Sequence, residues 1–252
     1  MQVIFIHHSC FLVEVDDKVM IFDWFAGDRV SGYQFRGVIP EYEPDTPIYV
    51  FASHKHQDHF DMDVLRWAEK YTNIHYIFSK DCKMTSRFLT KHGFPADISE
   101  KITYVSAGSK YELPDNVQVE TLRSTDAGVA FYVQTNGAGI FHAGDLNDWQ
   151  WEGAGSLVNG KMQMEYRSQI KRIAHKNINL AFVPMDSRQK EKQFSGFDYF
   201  LKNTTAEYVF PMHMWQDYSG IGRYVRTLFD KKLEERVVEI THENQEFDIQ
   251  EE

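Results

Sequence analysis

The sequence predicts an α/β protein built in layers, and three observations predict it. Apolar, β-rich runs end abruptly at a polar residue: Asp23, His54, Asp145, Asp186 and His213 each close such a run. Segments with helical patterning alternate with these runs. Hydrophobic residues fill 42% and charged residues 25% of 252 positions, the balance of a globule with a sizeable core. Strands alternating with helices are the pattern of layered α/β folds. Buried strands that deliver polar groups from one edge make a single shared site economical. Nothing marks a linker or an internal repeat, so the chain reads as one domain over 1–252.

Taken in order, Gln2-Val3-Ile4-Phe5-Ile6 and Cys10-Phe11-Leu12-Val13-Glu14-Val15 read as strands, and Asp16-Asp17-Lys18 as the turn into Val19-Met20-Ile21-Phe22. Residues 25–47, rich in Gly, Pro and charge, read as a surface loop. A strand over 48–52 leads into a polar loop and then a helix-like segment over 62–71. Ile74-His75-Tyr76-Ile77-Phe78 reads as a short strand. A helix capped by Ser79 or Asp81 then runs to His92, with Gly93 as its stop. Residues 101–135 read as several strands broken at Ala107-Gly108, Pro114-Asp115-Asn116 and Asp126-Ala127-Gly128. Strands end at Asp145, Asp186 and His213, with a helix over 161–176 between the first two. An amphipathic helix over 221–233, a strand-like 237–240 and an acidic tail close the chain.

The chemistry is concentrated in Ser53-His54-Lys55-His56-Gln57-Asp58-His59-Phe60, where three histidines and one aspartate fall within six positions. Alternate residues of an extended segment point the same way. His54 and His56 can therefore reach one metal from one side, while Asp58 and His59, past the bend into the helix, aim at a second point nearby. Imidazole with carboxylate suits zinc, and also iron or manganese. The bland alternative is a polar loop whose histidines merely hydrogen-bond.

His54-x-His56-x-Asp58-His59 resembles the signature of the metallo-β-lactamase superfamily. That resemblance implies a four-layer αββα sandwich with one or two divalent metals at one edge of two facing sheets, and hydrolase activity. It implies that Asp145, in Ala143-Gly144-Asp145, bridges both metals, and that His213 is the last ligand. Asp23 then orients the metal loop as an outer acceptor, and Asp186 lies on the same rim without being a ligand. The pattern departs from the family in one place. No histidine occurs from Gly93 to Phe141, where the third histidine of the first metal site usually lies. Asp126 is the proposed replacement. The first site is then His54, His56, Asp126 and Asp145, and the second is Asp58, His59, His213 and Asp145. An added carboxylate favours manganese or iron more than three histidines would; zinc heads the expectation overall.

A metal of this kind supplies hydroxide at neutral pH. Asp58 and Asp145 are the expected catalytic carboxylates, with Asp126 as a further proton acceptor. The substrate side is thinner. His8, in His7-His8-Ser9, is similar in place to a His-Ser pair of the L-ascorbate-6-phosphate lactonase-like branch, which implies a substrate contact; the alternative is a structural histidine. Trp149 and Trp151 follow the metal edge, and Trp149 is read as a pocket wall, against the alternative of a simple packing role. Arg188 opens a basic run that offers an anion-binding group, against the alternative of a solvated loop interrupted by Glu191.

The expected function is metal-dependent hydrolysis of a small ester, lactone or phosphorylated substrate. The alternatives are a phosphodiesterase or nuclease of the same fold, and a non-catalytic metal-dependent binding module. A net charge of −10 argues against tracking nucleic acid along a broad basic surface. Two cysteines, Cys10 and Cys82, indicate no disulfide framework. Without an export signal or an 18-residue apolar stretch, a cytoplasmic protein is the default expectation. The expected partner is a small-molecule substrate, with no membrane; homo-oligomerisation is left open.

Overall fold

The computed structural model describes residues 1–250. The chain has an α/β fold with two mixed sheets and helices. The described residues divide into two compact units, one comprising residues 1–106 and 243–250, the other residues 107–242.

In the first unit β1 (Gln2–His7), β2 (Cys10–Val15) and β3 (Lys18–Phe22) form an antiparallel meander. Beyond β3 the sheet turns parallel through β4 (Ile48–Ala52), β5 (Ile74–Ser79) and β6 (Ile102–Val105). Parallel pairing puts the C-terminal ends of β3 and β4 side by side, which is what brings Asp23 next to Ser53 and His54. Every residue of β3 and β4 is buried, which is why both read as continuous apolar runs. One face carries Leu12, Ile21, Val50 and Tyr76 into an apolar cluster with Leu65 and Leu89. Residues 62–71, expected as a helix-like segment, form a 3-10 helix over Met62–Glu69. Asp61 caps it, its side chain accepting from the amide of Asp63. The helix expected from Ser79 to His92 is shorter: a 3-10 turn, Lys80–Cys82, precedes α1 (Ser86–Lys91), which Thr85 caps.

The second unit begins with β7 (Lys110–Leu113), β8 (Val117–Arg123), β9 (Val129–Thr135) and β10 (Ala138–His142), all antiparallel neighbours. After α2 (Ser156–Ile173), β11 (Leu180–Pro184) joins β10 in parallel. After α3 (Ser195–Asn203), β12 (Tyr208–Met212) joins β11, also in parallel. Three parallel strands thus deliver Asp145, Asp186 and His213 from one end of one sheet. Gly196 lets α3 approach the segment after β10, because a Cβ there would meet Asn147 Oδ1 at 1.9 Å.

The single helix expected over 221–233 is two, α4 (Ser219–Val225) and α5 (Lys231–Glu234), with Asp230 capping the second. The strand-like 237–240 makes only one bridge, Val237 to Val209. The last strand lies instead in the acidic tail: β13 (Gln245–Asp248) pairs antiparallel with β1 and becomes the seventh strand of the first sheet. No helix among the described residues is long and apolar enough to cross a membrane.

Candidate metal centre

In the first unit one carboxylate organises the donor loop. Asp23 sits just past β3, fully buried, with φ at 49°. A left-handed backbone at a non-glycine residue costs about 1–3 kcal/mol and persists where surrounding contacts fix it. Here they do. Its Oδ1 accepts from the Ser53 amide at 2.7 Å, and its Oδ2 accepts from Ser53 Oγ at 2.6 Å and faces His59 Nδ1 at 2.7 Å.

These contacts decide which ring nitrogens are left for a cation. The Ser53 hydroxyl spends its proton on Asp23, so its oxygen accepts from His54 Nδ1, 2.9 Å away. His54 Nε2 therefore carries a lone pair. It meets His56 Nδ1 at 2.9 Å. His59, with Nδ1 on Asp23, likewise presents Nε2, which lies 3.9 Å from Asp58 Oδ2. His8 Nε2 lies 3.4 Å from the same oxygen, so His8, Asp58 and His59 offer ligand atoms within 4.8 Å of one another. His8, at the bend between β1 and β2, also has positive φ, 47°.

In the second unit the same device recurs. His213, at φ 60° past β12, is buried. Its Nδ1 lies 2.9 Å from Asp186 Oδ2, and its Nε2 faces Asp145 Oδ1 at 3.4 Å. Asp186 also accepts from Trp215 Nε1 at 3.1 Å and from Arg188 through Nε and Nη2, the latter at 2.6 Å. Burial alone pushes the Asp186 carboxyl upward. The hydrogen bonds from His213 and Arg188 outweigh it and hold the group well below the usual carboxylate range. Arg188 stacks on Trp215, with its guanidinium 4.3 Å from the ring centroid.

The donor chemistry fits a divalent cation. Imidazole nitrogens with carboxylate oxygens match zinc, manganese or iron. The outer acceptors on three Nδ1 atoms are the partners that metal-ligating imidazoles need to set their tautomer. His54, His56, Asp58, His59 and Asp23 are thus gathered in the first unit, and Asp145, Asp186 and His213 in the second.

Other expected site residues fall differently. Asp126 is exposed, and no group of three or more converging donors among the described residues contains it. Its neighbour Thr125 turns inward instead, donating from Oγ1 to the Asn147 carbonyl at 2.7 Å, so this turn braces the segment after Asp145. Trp149 is 5% exposed and donates from Nε1 to the Asp145 carbonyl at 2.9 Å, a supporting position. Trp151, stacked on it at 3° between planes, is 38% exposed and is the indole that faces outward. Arg188 is tied to Asp186, and it also lines a pocket of about 370 Å³ with Trp151 and Gln150. His8, expected as a substrate contact or a structural histidine, stands among potential donors. Nothing in its local sequence signalled that, because it depends on the bend at residues 8 and 9. Trp215, two residues past His213, had no sequence signal either.

Residues 2–213 match the family described as Beta-lactamase superfamily domain. No curated protein matches the chain. Among solved structures, the chain is similar to Igni18, described as a novel metallo hydrolase from the hyperthermophilic archaeon Ignicoccus hospitalis. The TM-score is 0.63 at 16% identity, over 99% of each chain. It is also similar to an isothiocyanate hydrolase from Delia radicum gut bacteria, with TM-score 0.58 and 11% identity over 99% of each chain. YhfI of Bacillus subtilis, a metallo-beta-lactamase fold protein, gives TM-score 0.58 and 13% identity over 98% of this chain and 99% of that one. At such identities the likeness is one of fold.

Proposed function

The chain belongs to the Beta-lactamase superfamily domain family, and from that premise we propose that it is a metal-dependent hydrolase of a small ester, lactone or phosphorylated substrate. The lactonase-like branch is our choice within the superfamily because of the His8-Ser9 pair. The observation that carries the reading is the fixing of three imidazoles from behind. Ser53, Asp23 and Asp186 occupy Nδ1 of His54, His59 and His213, so each ring offers Nε2 as a base. A loop of merely hydrogen-bonding histidines does not need that shared arrangement.

We assign His54, His56, Asp58 and His59 as metal ligands, with Asp145 and His213 as the further ligands that family membership implies. His8 joins this set beside Asp58 and His59. Asp126, exposed, is left outside it. One or two divalent ions are expected, zinc first, with manganese or iron as alternatives. When bound, such an ion supplies an acidified water and polarises a carbonyl or phosphoryl oxygen. The protein's residues do the rest. Asp58 Oδ2, 3.4 Å from His8 Nε2, takes the proton of the attacking water. Asp145 Oδ1 faces His213 Nε2 at 3.4 Å, so the two would share the cation, while Asp186 fixes the His213 ring from Nδ1. Trp151 offers an aromatic face to the substrate, and Arg188, spent on Asp186, acts on His213 from behind. A cytoplasmic setting fits the two buried free thiols, Cys10 and Cys82.

The test is metal analysis of purified protein, followed by assay of ester, lactone and phosphodiester panels before and after chelation. Chelator-sensitive turnover of esters or lactones is the expected result. Phosphodiester turnover alone would move the protein to the phosphodiesterase alternative. Tight metal with no turnover would make it a binding module.

A further inference from the structure

Within the first unit, beside the donor loop, lies a pocket of about 360 Å³, inside the range of small-molecule sites, roughly 300–1,000 Å³. Lys55 and Gln57 of the His54–His59 loop line it. Both are immediate chain neighbours of His54, His56 and Asp58, so the pocket adjoins the donor loop. Its apolar wall is Phe60, Met62, Met84 and Phe88. Phe88, on α1, is 41% exposed, a large ring left in water at the mouth. Phe60 is anchored edge-to-face on Phe78, 5.1 Å between centroids.

The charges are arranged unevenly. Arg29 is taken up by Asp61 through a two-pronged contact of 2.6 and 2.8 Å. Asp81 turns one oxygen onto the Lys55 amide at 3.2 Å. The Lys55 and Lys83 ammonium groups line the pocket and make no ion pair with a carboxylate among the described residues. Two lysines without a carboxylate partner thus stand over an apolar wall that Asp61 and Asp81 also border, in a chain of net charge −10.

We propose that this pocket binds a small amphiphilic anion: a short apolar chain lies on Phe60, Met62, Met84 and Phe88, and its carboxylate or phosphate head is held between Lys55 and Lys83. The proposal rests on the hydrolase reading for its meaning. The pocket would seat the non-reacting, charged end of the substrate, and so narrows the substrate to an ester or lactone that also carries an anionic group on an apolar chain. The binding itself is a separate property.

The experiment is titration calorimetry on the metal-loaded full chain with octanoate, octylphosphonate, octyl glucoside and inorganic phosphate. Octanoate or octylphosphonate is expected to bind at least about tenfold more tightly than octyl glucoside or phosphate alone, since charged head and apolar chain each contribute. The tighter of the two anions assigns the head group. The double variant Lys55→Ala/Lys83→Ala is expected to lose about tenfold for that anion and nothing for octyl glucoside. Phe88→Ser is expected to weaken the octyl anion and leave inorganic phosphate unchanged. Anion binding unaltered in the double variant, or octyl glucoside binding as tightly as the anions, would overturn the proposal. Ester and lactone turnover is measured on the same preparation. Binding without turnover removes the hydrolase reading and keeps the pocket; turnover without binding removes the pocket alone.

Discussion

Asp23 Oδ2 and His59 Nδ1 lie 2.7 Å apart although 36 residues separate them in the chain. The contact exists because β3 and β4 run in parallel, so the residue after one strand meets the loop after the other. The same carboxylate holds the Ser53 amide and hydroxyl. One buried side chain therefore sets the path of the donor loop and the tautomers of two of its rings.

Asp23→Ala is expected to remove all three contacts. It leaves a buried amide, a hydroxyl and an imidazole without their acceptor, at about 1–3 kcal/mol for each unsatisfied group. A loss of about 3 kcal/mol or more in urea denaturation is expected, with metal affinity falling about 10- to 100-fold. Asp23→Asn keeps one acceptor oxygen and should lose less stability than affinity. Equal metal affinity in the Asp23→Asn variant and the wild type would show that the carboxylate does not tune His59.

His56→Ala and Asp145→Ala are expected to abolish hydrolysis and leave the far-ultraviolet dichroism unchanged. His56 is exposed, and Asp145 is held by its backbone carbonyl to Trp149 and Thr125, so neither side chain supports the core. Asp126→Ala, by contrast, is expected to leave metal stoichiometry unchanged, because the residue faces solvent.

The difference between Asp126 and Asp23 shows what a sequence can and cannot convey here. Asp23 and His213 were legible because each directly follows a buried apolar strand end, and Asp186 follows one after a single further apolar residue; Asp145 lies three residues past β10, whose own last residue is the buried His142. The His54–His59 run was legible as a strand-to-helix loop because it follows the buried β4 and precedes the 3-10 helix. Asp126 sits in a turn, where one residue's rotation decides whether it or Thr125 points inward, and spacing carries no such information. His8 depends on a left-handed bend that no pattern announces. β13 was hidden for a related reason: it pairs along one edge only and is half exposed, so Gln245-Glu246-Phe247-Asp248 has too few apolar residues to read as a strand. The two helices α4 and α5 read as one because the break at Asp230 is made by a cap, which looks polar and helical alike.

His7 gives a pH dependence. It is 1% exposed beside Phe25 and Phe35, with ring centroids at 4.5 and 5.4 Å. Burial lowers it from 6.5 to about 4, and a backbone group of Phe25 draws it back only part of the way. Between those values the unfolded chain binds the proton and the folded chain does not, so stability rises with pH from about 4 to 6.5 and is lost on acidification through that window. The shift corresponds to about 3 kcal/mol. His7→Phe should flatten this part of the stability profile in metal-stripped protein. An unchanged slope in urea denaturation between those two pH values would count against a neutral, buried His7.

Cys10 and Cys82 are both buried, and burial first, with Asp23 and Asp81 respectively adding to it, raises each thiol above its ordinary value. Thiolate is the reactive form. The native protein is therefore expected to react with a thiol reagent far more slowly than the denatured chain, which should release two equivalents.

Arg188 separates two roles that its position allows. As a substrate-binding cation it would act on KM. As a positioning residue it would act through Asp186 on His213. The geometry favours the second for most of its hydrogen-bonding capacity: Nε and Nη2 both point at the Asp186 carboxylate, and the guanidinium plane is fixed on Trp215. Lysine keeps the charge but lacks the planar fork. Arg188→Lys is therefore expected to weaken metal binding about tenfold, with a fall in kcat at subsaturating metal that added metal restores. Asp186→Asn should show the same signature more strongly, since it removes the charge that His213 faces. A rise in KM at unchanged metal affinity would assign Arg188 to the substrate instead, and would leave Trp215 and Asp186 to hold His213 without it.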